Sequence, residues 1–381
     1  MMFRAFVFLG GVLLQDTDYM RRAIGLARQG AGWTSPNPLV GAVIVKDGRI
    51  IGEGWHQRCG EAHAERNALA ACTEDPRGAE MYVTLEPCCH TGRQPPCVDA
   101  IVSARIAKVY VGSADPNPLV AGKGVRILRA AGIEVVENFL REECDALNGI
   151  FFHYISTKRP LVTMKYAMTL DGKIACHTGA SQWVTGEIAR QHVHRQRHLH
   201  RGIMVGVGTV LADDPRLTCR IENGRDPVRI VCDSHLRTPM TANLVVTAGE
   251  TPTILATCSQ DAARKAEYEA AGCTVLTTPA RNGRVDLPSL MAQLGRLEID
   301  SVLLEGGGTL NWAALESGIV DRVMAYIAPK LFGGADAKTP VEGTGFDRPD
   351  QAVILKNTTI TPLGCDFLME SEVDHHVYGN R

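Results

Sequence analysis

The stretch between His63 and Cys97 constrains this chain more than any other. It reads His63-Ala64-Glu65 and then Glu86-Pro87-Cys88-Cys89-His90-Thr91-Gly92-Arg93-Gln94-Pro95-Pro96-Cys97. One imidazole and two thiolates give a tetrahedral Zn²⁺ three ligands and leave its fourth corner open, which separates a catalytic site from a closed structural one. A water at that corner is acidified to near neutrality, and a carboxylate that is not a ligand can carry its proton. Glu65 is the candidate. Residues two apart do not share a helix face. His63 and Glu65 therefore converge only if a helix begins at this point, with the metal off its first turn, where the positive end favours thiolate and hydroxide. The second thiolate is Cys97 or Cys89. Adjacent cysteines rarely both point at one ion, and Gly92, Pro95 and Pro96 can turn the chain so that Cys97 returns, which favours Cys97. A structural zinc knot, or ordinary reduced cysteines, would leave Glu65 without a task.

His-x-Glu followed by Pro-Cys-x-x-Cys marks zinc-dependent nucleobase deaminases, and this chain departs from that pattern, since no cysteine stands at position 91. With its longer loop the chain resembles one family in particular, the bifunctional deaminase-reductases of riboflavin biosynthesis. The likeness is carried by Pro36-Asn37-Pro38-Leu39-Val40-Gly41, by Gly54-Trp55-His56 with Gly60 and His63-Ala64-Glu65, and by the run from Glu86 to Cys97. It extends from about residue 18 to about residue 372. It implies an α/β protein, an N-terminal cytidine-deaminase-like α/β/α sandwich followed by a C-terminal dihydrofolate-reductase-like α/β domain. Zn²⁺ would be held by His63, Cys88 and Cys97, with Glu65 catalytic. Asn37 by itself is a turn residue or a ring contact; the resemblance turns its two-sided amide toward the pyrimidine, and places His90 in the substrate site as well.

At 381 residues the chain is too long for one typical core, and a length prior gives about two to three domains. A net charge of -2 argues against a nucleic-acid binder with a broad basic face, while leaving room for a small anionic substrate. The 12 cysteines, among them Cys59, Cys72, Cys144 and Cys365, lack framework spacing and indicate a reducing compartment, hence the cytoplasm. The apolar opening, Met1 to Leu14, has one basic residue, no small-residue cleavage site and too little length to span a bilayer. Residues 1–15 are expected to be an extension, 16–157 the deaminase domain and 158–381 the reductase domain, with no membrane association.

In order, the patterns predict a helix from Tyr19 to Gln29, capped at Asp16 or Thr17. A strand Val40 to Val45, a hairpin turn at Asp47-Gly48 and a returning strand Ile50 to Gly54 follow. Helix 63–72, strand Met81 to Leu85, helix 97–104, strand Lys108 to Val111, helix 122–131 and strand Ile133 to Val136 then alternate, which predicts a largely parallel sheet between helices. Both metal-binding segments would lie at helix starts beside strand ends, where open α/β sheets place ligands. A closing helix, Glu142 to Tyr154, ends before the break at Lys158-Arg159-Pro160.

The second domain opens on a strand from Leu161 to Lys165, followed by a helix, Glu187 to Arg201, on which Arg190, His194, Arg197 and Arg201 share a side. A solvated face is the neutral reading of that side, and intervening arginines argue against a metal role for its histidines. Strands Ile203 to Val207, Arg229 to Cys232 and Ser301 to Leu304 follow, the last running into Glu305-Gly306-Gly307-Gly308 and a helix near Asn311. Glycines between strand and helix allow close backbone approach, and free N–H groups at a helix start attract phosphate. The Gly-x-Gly-x-x-Gly fingerprint is absent from the start of this domain, which argues against a standard Rossmann unit.

Here too the residues resemble the riboflavin family, whose reductase half uses NADPH. The resemblance assigns Ala167, Trp183, Thr209, Asp213, Ser234 and the segment Gly307, Gly308, Thr309, Leu310, Asn311, Trp312 and Ala313 to the cofactor. It assigns Ser181, Arg197, Leu217, Arg220 and Glu305 to a phosphorylated pyrimidine substrate, the arginines suiting its phosphate; Lys165 is a further candidate, either as a phosphate contact or near the reacting carbon. Two successive reactions on one ribosylated pyrimidine phosphate are therefore expected, in a homodimer. A nucleic-acid editing deaminase would need basic and aromatic surface, and aromatics are 6%; a decayed zinc scaffold would not keep every chemical position filled.

Overall fold

The computed structural model describes residues 8–9, 12–91 and 94–375. Most of the opening stretch 1–15, and Gly92, lie outside the described residues. The chain divides into two compact units, Met1–Thr157 and Lys158–Arg381. Among the described residues no helix is long and apolar enough to cross a membrane.

The first unit starts with a short antiparallel pair, β1 (Phe8–Leu9) and β2 (Val12–Leu13), and helix α1 (Asp16–Ala27). Then come β3 (Gly41–Lys46), β4 (Arg49–Trp55), α2 (Ala64–Ala70), β5 (Glu80–Leu85), α3 (Cys97–Ser103), β6 (Lys108–Ser113), α4 (Lys123–Ala130), β7 (Glu134–Val136), α5 (Arg141–Asp145) and α6 (Gly149–Thr157). The sheet order is β4-β3-β5-β6-β7. It is less parallel than the alternation predicted. β5–β6 and β6–β7 are parallel, but β3 runs antiparallel to both its neighbours. The tight turn at Asp47-Gly48, both at positive φ, folds β4 back on β3 and makes that edge a hairpin.

Period-two alternation along β3 builds the layers. Ala42 and Ile44 join a core with Ala64 and Ala68 of α2, Val98 and Ile101 of α3 and Val125 and Leu128 of α4. Val43 and Val45 face the other way, onto Tyr19, Met20 and Ala23 of α1. Helices on both faces of one sheet make the α/β/α sandwich.

The position of α2 matters most for function, and its seven residues are too few to hold a helix by propensity alone. It is fixed instead by close packing on β4. A Cβ added at Gly54 would fall 2.3 Å from the Ala68 nitrogen, and one at Gly52 would fall 2.4 Å from the Ala68 oxygen. Only glycine lets strand and helix meet so closely.

The second unit contains β8 (Leu161–Thr169), α7 (Glu187–Leu199), β9 (Gly202–Gly206), α8 (Val207–Asp213), β10 (Val228–Cys232), α9 (Asn243–Val246), β11 (Thr253–Thr257), α10 (Ala262–Ala270) and β12 (Thr274–Thr277). A short pair, β13 (Ala280–Arg281) and β14 (Arg284–Val285), leads to α11 (Leu287–Arg296), β15 (Ser301–Leu304), α12 (Gly308–Glu316), β16 (Arg322–Ala328), β17 (Leu355–Leu363) and β18 (Asp366–Val373). The nine-stranded sheet runs β12-β11-β10-β9-β15-β8-β16-β18-β17. It is parallel from β12 to β16 and antiparallel at β18 and β17. Its two faces are again both apolar: Met204, Ile230 and Val302 pack under α11, while Ile203, Val205 and Val231 pack with Leu244 and Tyr268.

Four elements differ from the sequence reading. Helix α1 begins at Asp16 with Gln15 as its N-cap, ahead of the caps expected at Asp16 or Thr17, and β8 runs on to Thr169 rather than ending at Lys165. The closing helix from Glu142 to Tyr154 is two helices, parted where Asn148 uses its side chain on another segment. The helix expected near Asn311 begins at Gly308, because the extended Gly307 serves as its N-cap.

The packing of α2 gives a direct test. Gly54→Ala should lower the denaturant stability of the full chain by about 1–3 kcal/mol or more, the cost of overpacking. Gly25→Ala, on α1 with nothing within 4 Å of the new methyl, should raise it by up to about 1 kcal/mol. Urea unfolding followed by circular dichroism measures both.

Candidate functional site

His63 is the N-cap of α2, Cys97 is the first residue of α3, and Cys88 lies just beyond the end of β5. Two strand-to-helix junctions, β4 to α2 and β5 to α3, thus deliver one group of three donors. His63 Nδ1 stands 3.5 Å from Cys88 Sγ and 3.4 Å from Cys97 Sγ. Ligands of one tetrahedral Zn²⁺, with Zn–N about 2.1 Å and Zn–S about 2.3 Å, stand roughly 3.5 Å apart, so these residues fit the ion. Among the described residues the group has these three members. Cys89 is not one of them, for its thiol donates to the Leu119 carbonyl at 3.6 Å. The Cys97 amide donates to the Cys88 carbonyl at 3.0 Å and to its sulfur at 3.3 Å, closing the loop on itself. Hydrogen bonds from Cys97 and His63 hold the Cys88 thiol well below its ordinary range, against the opposing effect of burial.

Glu65 is 3% exposed and bonded to Cys97. Burial, then the neighbouring Cys88, push its carboxyl up from the ordinary range. Glu86 has a different task in the same run. Its carboxylate accepts the Gly122 and Val125 amides at 2.9 and 3.2 Å, closing the first turn of α4.

Asn37 and His90 are the two residues expected to meet the ring. Asn37 Nδ2 lies 3.2 Å from His56 Nε2, while His56 Nδ1 lies 3.1 Å from the Ala62 carbonyl. The carbonyl can only accept, so Nδ1 carries the proton and Nε2 accepts from Asn37. Burial keeps the His56 ring neutral by lowering its pKa. The amide of Asn37 is thereby oriented with its oxygen unclaimed by His56. Asn148 grips the adjoining Leu39 at both its amide, 2.8 Å, and its carbonyl, 2.9 Å. His90 Nδ1 is buried and has no hydrogen-bond partner among the described residues.

In the second unit a cavity of about 1070 Å³ is walled by Lys165, Ala167, Ser181, Trp183, His194, Arg197, Thr209, Asp213, Arg220, Glu305, Gly307, Gly308 and Asn311, among others. Glu305 is its electrostatic centre. Arg197 pairs with it in a fork, Nε to Oε1 at 2.8 Å and Nη2 to Oε2 at 2.9 Å, and Lys165 Nζ stands 4.0 Å from Oε2. Burial alone would raise the Glu305 carboxyl, but Arg197 and Lys165 outweigh it and hold it at about 2. A smaller cavity of about 380 Å³ is lined by Ser234, Thr309, Leu310 and Ala313, with Gly206, Arg237 and Arg284.

Residues 160–369 match a family model described as the RibD C-terminal domain, and residues 14–113 match the cytidine and deoxycytidylate deaminase zinc-binding region. The riboflavin biosynthesis protein RibD of Actinobacillus pleuropneumoniae is 59% identical over 94% of this chain and 95% of its own length. That of Escherichia coli is 42% identical over 93% and 98%. The solved RibD of Acinetobacter baumannii superposes with a TM-score of 0.85 at 38% identity, covering 94% of this chain and 99% of that one. The chain belongs to the RibD family. A RibD-like fold also describes a diaminohydroxyphosphoribosylaminopyrimidine deaminase/5-amino-6-(5-phosphoribosylamino)uracil reductase from Thermotoga maritima, with a TM-score of 0.82 at 39% identity, covering 94% of this chain and 98% of that one. The α/β class, with a deaminase-like first half and a RibD reductase half, is therefore the fold expected from the sequence.

Within this RibD chain not every expected residue reaches a cavity. Leu217 is 4% exposed and packed into the core around Val205 and Val231, leaving only its backbone to face a ligand. Trp312 lines neither cavity and packs edge-on against Phe346, ring centres 5.0 Å apart. Arg197 is neither solvated nor free to grasp a phosphate, since its fork is spent on Glu305; the exposed Arg220 keeps its guanidinium for that task. His194 went unassigned in the sequence. The Arg220 amide donates to its Nδ1 at 3.3 Å, so the neutral ring presents Nε2–H, and burial with Arg197 and Arg220 nearby lowers its pKa to about 4.

The Glu305 pair sets a pH dependence. A carboxyl depressed to about 2 from 4.5 adds stability that is complete above about pH 4.5 and is lost as pH falls toward 2. Glu305→Gln should destabilise the protein by about 3–5 kcal/mol near pH 7, the cost of breaking a buried pair. Chemical unfolding between pH 7 and pH 2 should show the gap to the parent closing at the acid end.

Proposed function

We propose that this RibD chain is a bifunctional enzyme of riboflavin biosynthesis acting twice on one molecule. It removes the ring amino group of 2,5-diamino-6-ribosylamino-4(3H)-pyrimidinone 5′-phosphate by hydrolysis, then reduces the ribosyl chain to give 5-amino-6-ribitylamino-uracil 5′-phosphate. The observation that carries the reading is the group of His63, Cys88 and Cys97 with Glu65 buried against it.

His63, Cys88 and Cys97 would hold Zn²⁺, which when bound supplies a Lewis acid able to acidify a water to near neutrality. Asn37 and His90 hold the pyrimidine, the first through an amide oriented by His56. Glu65 takes a proton on its carboxylate from the attacking water and returns it to the departing nitrogen as ammonia forms. Its burial suits the role, because a carboxyl held above its ordinary range is a stronger base for the water's proton.

In the second unit Ala167, Trp183, Thr209, Asp213 and the α12 start would hold NADPH, which supplies the hydride equivalent. Glu305 orients Lys165 and Arg197 toward the sugar, Ser181 adds a hydroxyl, and Arg220 faces the phosphate. Lys165 is largely enclosed, and burial lowers its pKa despite Glu305. A lysine so placed can give a proton to a carbonyl oxygen as it is reduced.

The cytoplasm belongs to the same reading, supported by 12 free cysteines. So does a homodimer. Its support is β17 at the sheet edge, with Ile360 66% exposed and Phe367 exposed on the adjoining β18. Sedimentation velocity should give a dimer for the parent, and a monomer for Ile360→Glu.

Glu65→Gln should slow ammonia release by about 10²–10⁴-fold, the usual worth of a positioned acid-base group, with metal content unchanged. The same variant should oxidise NADPH normally when given the deaminated substrate. Ammonia release at the parental rate would remove Glu65 from the mechanism.

A further inference from the structure

Arg66 follows Glu65 on α2 and has no part in the chemistry above, yet its half-buried guanidinium reaches the loop that brings Cys97 back. Nη2 donates to the Pro96 carbonyl at 2.9 Å, and Nε donates to the Pro95 carbonyl at 3.3 Å. These are the last two residues before the buried Cys97. Proline has no N–H, so the backbone of Pro95 and Pro96 can be held only through its carbonyls. A planar guanidinium offers its donors in a rigid fork, which fixes direction as well as distance.

The next residue of α2 holds the other approach to the metal group. Asn67 Nδ2 donates to the Trp55 carbonyl at the end of β4, 2.8 Å, and to the Ala62 carbonyl just before His63, 3.2 Å. Gln94 Nε2 adds a bond to the Gly60 carbonyl at 2.8 Å, so the loop is tied to the segment leading into His63 as well. Two consecutive side chains of one short helix therefore grip the residues adjoining His63 and the residues adjoining Cys97.

The other restraints on Cys97 do not do this. Its amide bonds to the Cys88 carbonyl and sulfur set the two thiols against each other, but they lie within the loop and set neither thiol against His63. Val98 and Ile101 of α3 share a core with Ala64 and Ala68 of α2, and apolar packing draws helices together without direction. Nine positions separate Cys88 from Cys97, and a longer loop costs more entropy to close.

We infer that Arg66 is a positioning residue for the metal, holding Cys97 in register with His63 and so setting how tightly Zn²⁺ is retained. The inference rests on the zinc reading and adds to it a residue that is not a ligand. A site whose ligands are already in place loses less freedom when the ion enters, and removing the groups that orient ligands typically weakens metal binding ten- to a hundredfold.

Competition of the full chain with a chelating dye for Zn²⁺ tests this. Arg66→Ala should weaken zinc binding by roughly ten- to a hundredfold, and Arg66→Lys, a point charge in place of the fork, should recover part of the loss. Unfolding midpoints of parent and Arg66→Ala should coincide with excess chelator and separate at equal free zinc, because only the tighter binder gains more from the ion. NADPH oxidation with the deaminated substrate should be the same in both. Parental zinc affinity in Arg66→Ala, or midpoints as far apart in chelator as in zinc, would overturn the assignment. A parent that takes up no zinc would instead overturn the metal reading beneath it.

Discussion

Both sites of this chain depend on one constraint: a helix start leaves N–H groups unpaired, and a sheet of strands ending at one edge can bring several such starts together. His63, Cys88 and Cys97 meet because α2, α3 and the end of β5 converge there. The reductase cavities form where β9 and β15 hand over to α8 and α12. In each unit the apolar faces of the sheet fix the helices, and the helices fix the chemistry. A site of this kind cannot be loosened locally. A shift of α2 along Gly52 and Gly54 would move His63 and Glu65 together, away from Cys97 on its own helix.

How much of this was legible in the sequence follows from how local each signal is. The metal group was legible because its spacing is a short-range pattern, and the proline-bounded return to Cys97 could be argued from turn chemistry alone. The strands of the first unit were legible from alternation. The antiparallel β3–β4 edge was legible from the Asp47-Gly48 hairpin turn, but that β3 also runs antiparallel to β5 was not, because the alternation of strands and helices pointed to a parallel neighbour. Asn148 shows the limit more sharply. It lies inside an apparently continuous helical pattern, and the helix breaks because its amide is used 109 residues away on Leu39.

The second site was less legible for the same reason. Arg197 and Glu305 are 108 residues apart, and nothing in either neighbourhood says that the fork of one is spent on the other. Periodicity put Arg197 on a face with Arg190 and His194, correctly, but a face on a helix does not declare whether it meets water or a carboxylate. Arg190 shows the other outcome, its guanidinium lying 4.7 Å over the exposed Trp183 ring. Leu217 and Trp312 went the opposite way, drawn inward by apolar packing that position in a motif does not reveal.

Two buried glutamates then show how environment divides labour between identical side chains. Among the described residues Glu65 has no arginine or lysine partner, and burial raises its carboxyl above the ordinary range. Glu305 is also largely enclosed, its side chain 10% exposed, yet Arg197 and Lys165 hold it ionised. Protonating Glu305 would leave two cations facing each other without a counter-charge, so it is unsuited to proton transfer and well suited to holding cations in place. The cation it holds less tightly, Lys165 at 4.0 Å, is the one whose pKa burial lowers. The division of roles follows from partner geometry, since both side chains carry the same carboxylate.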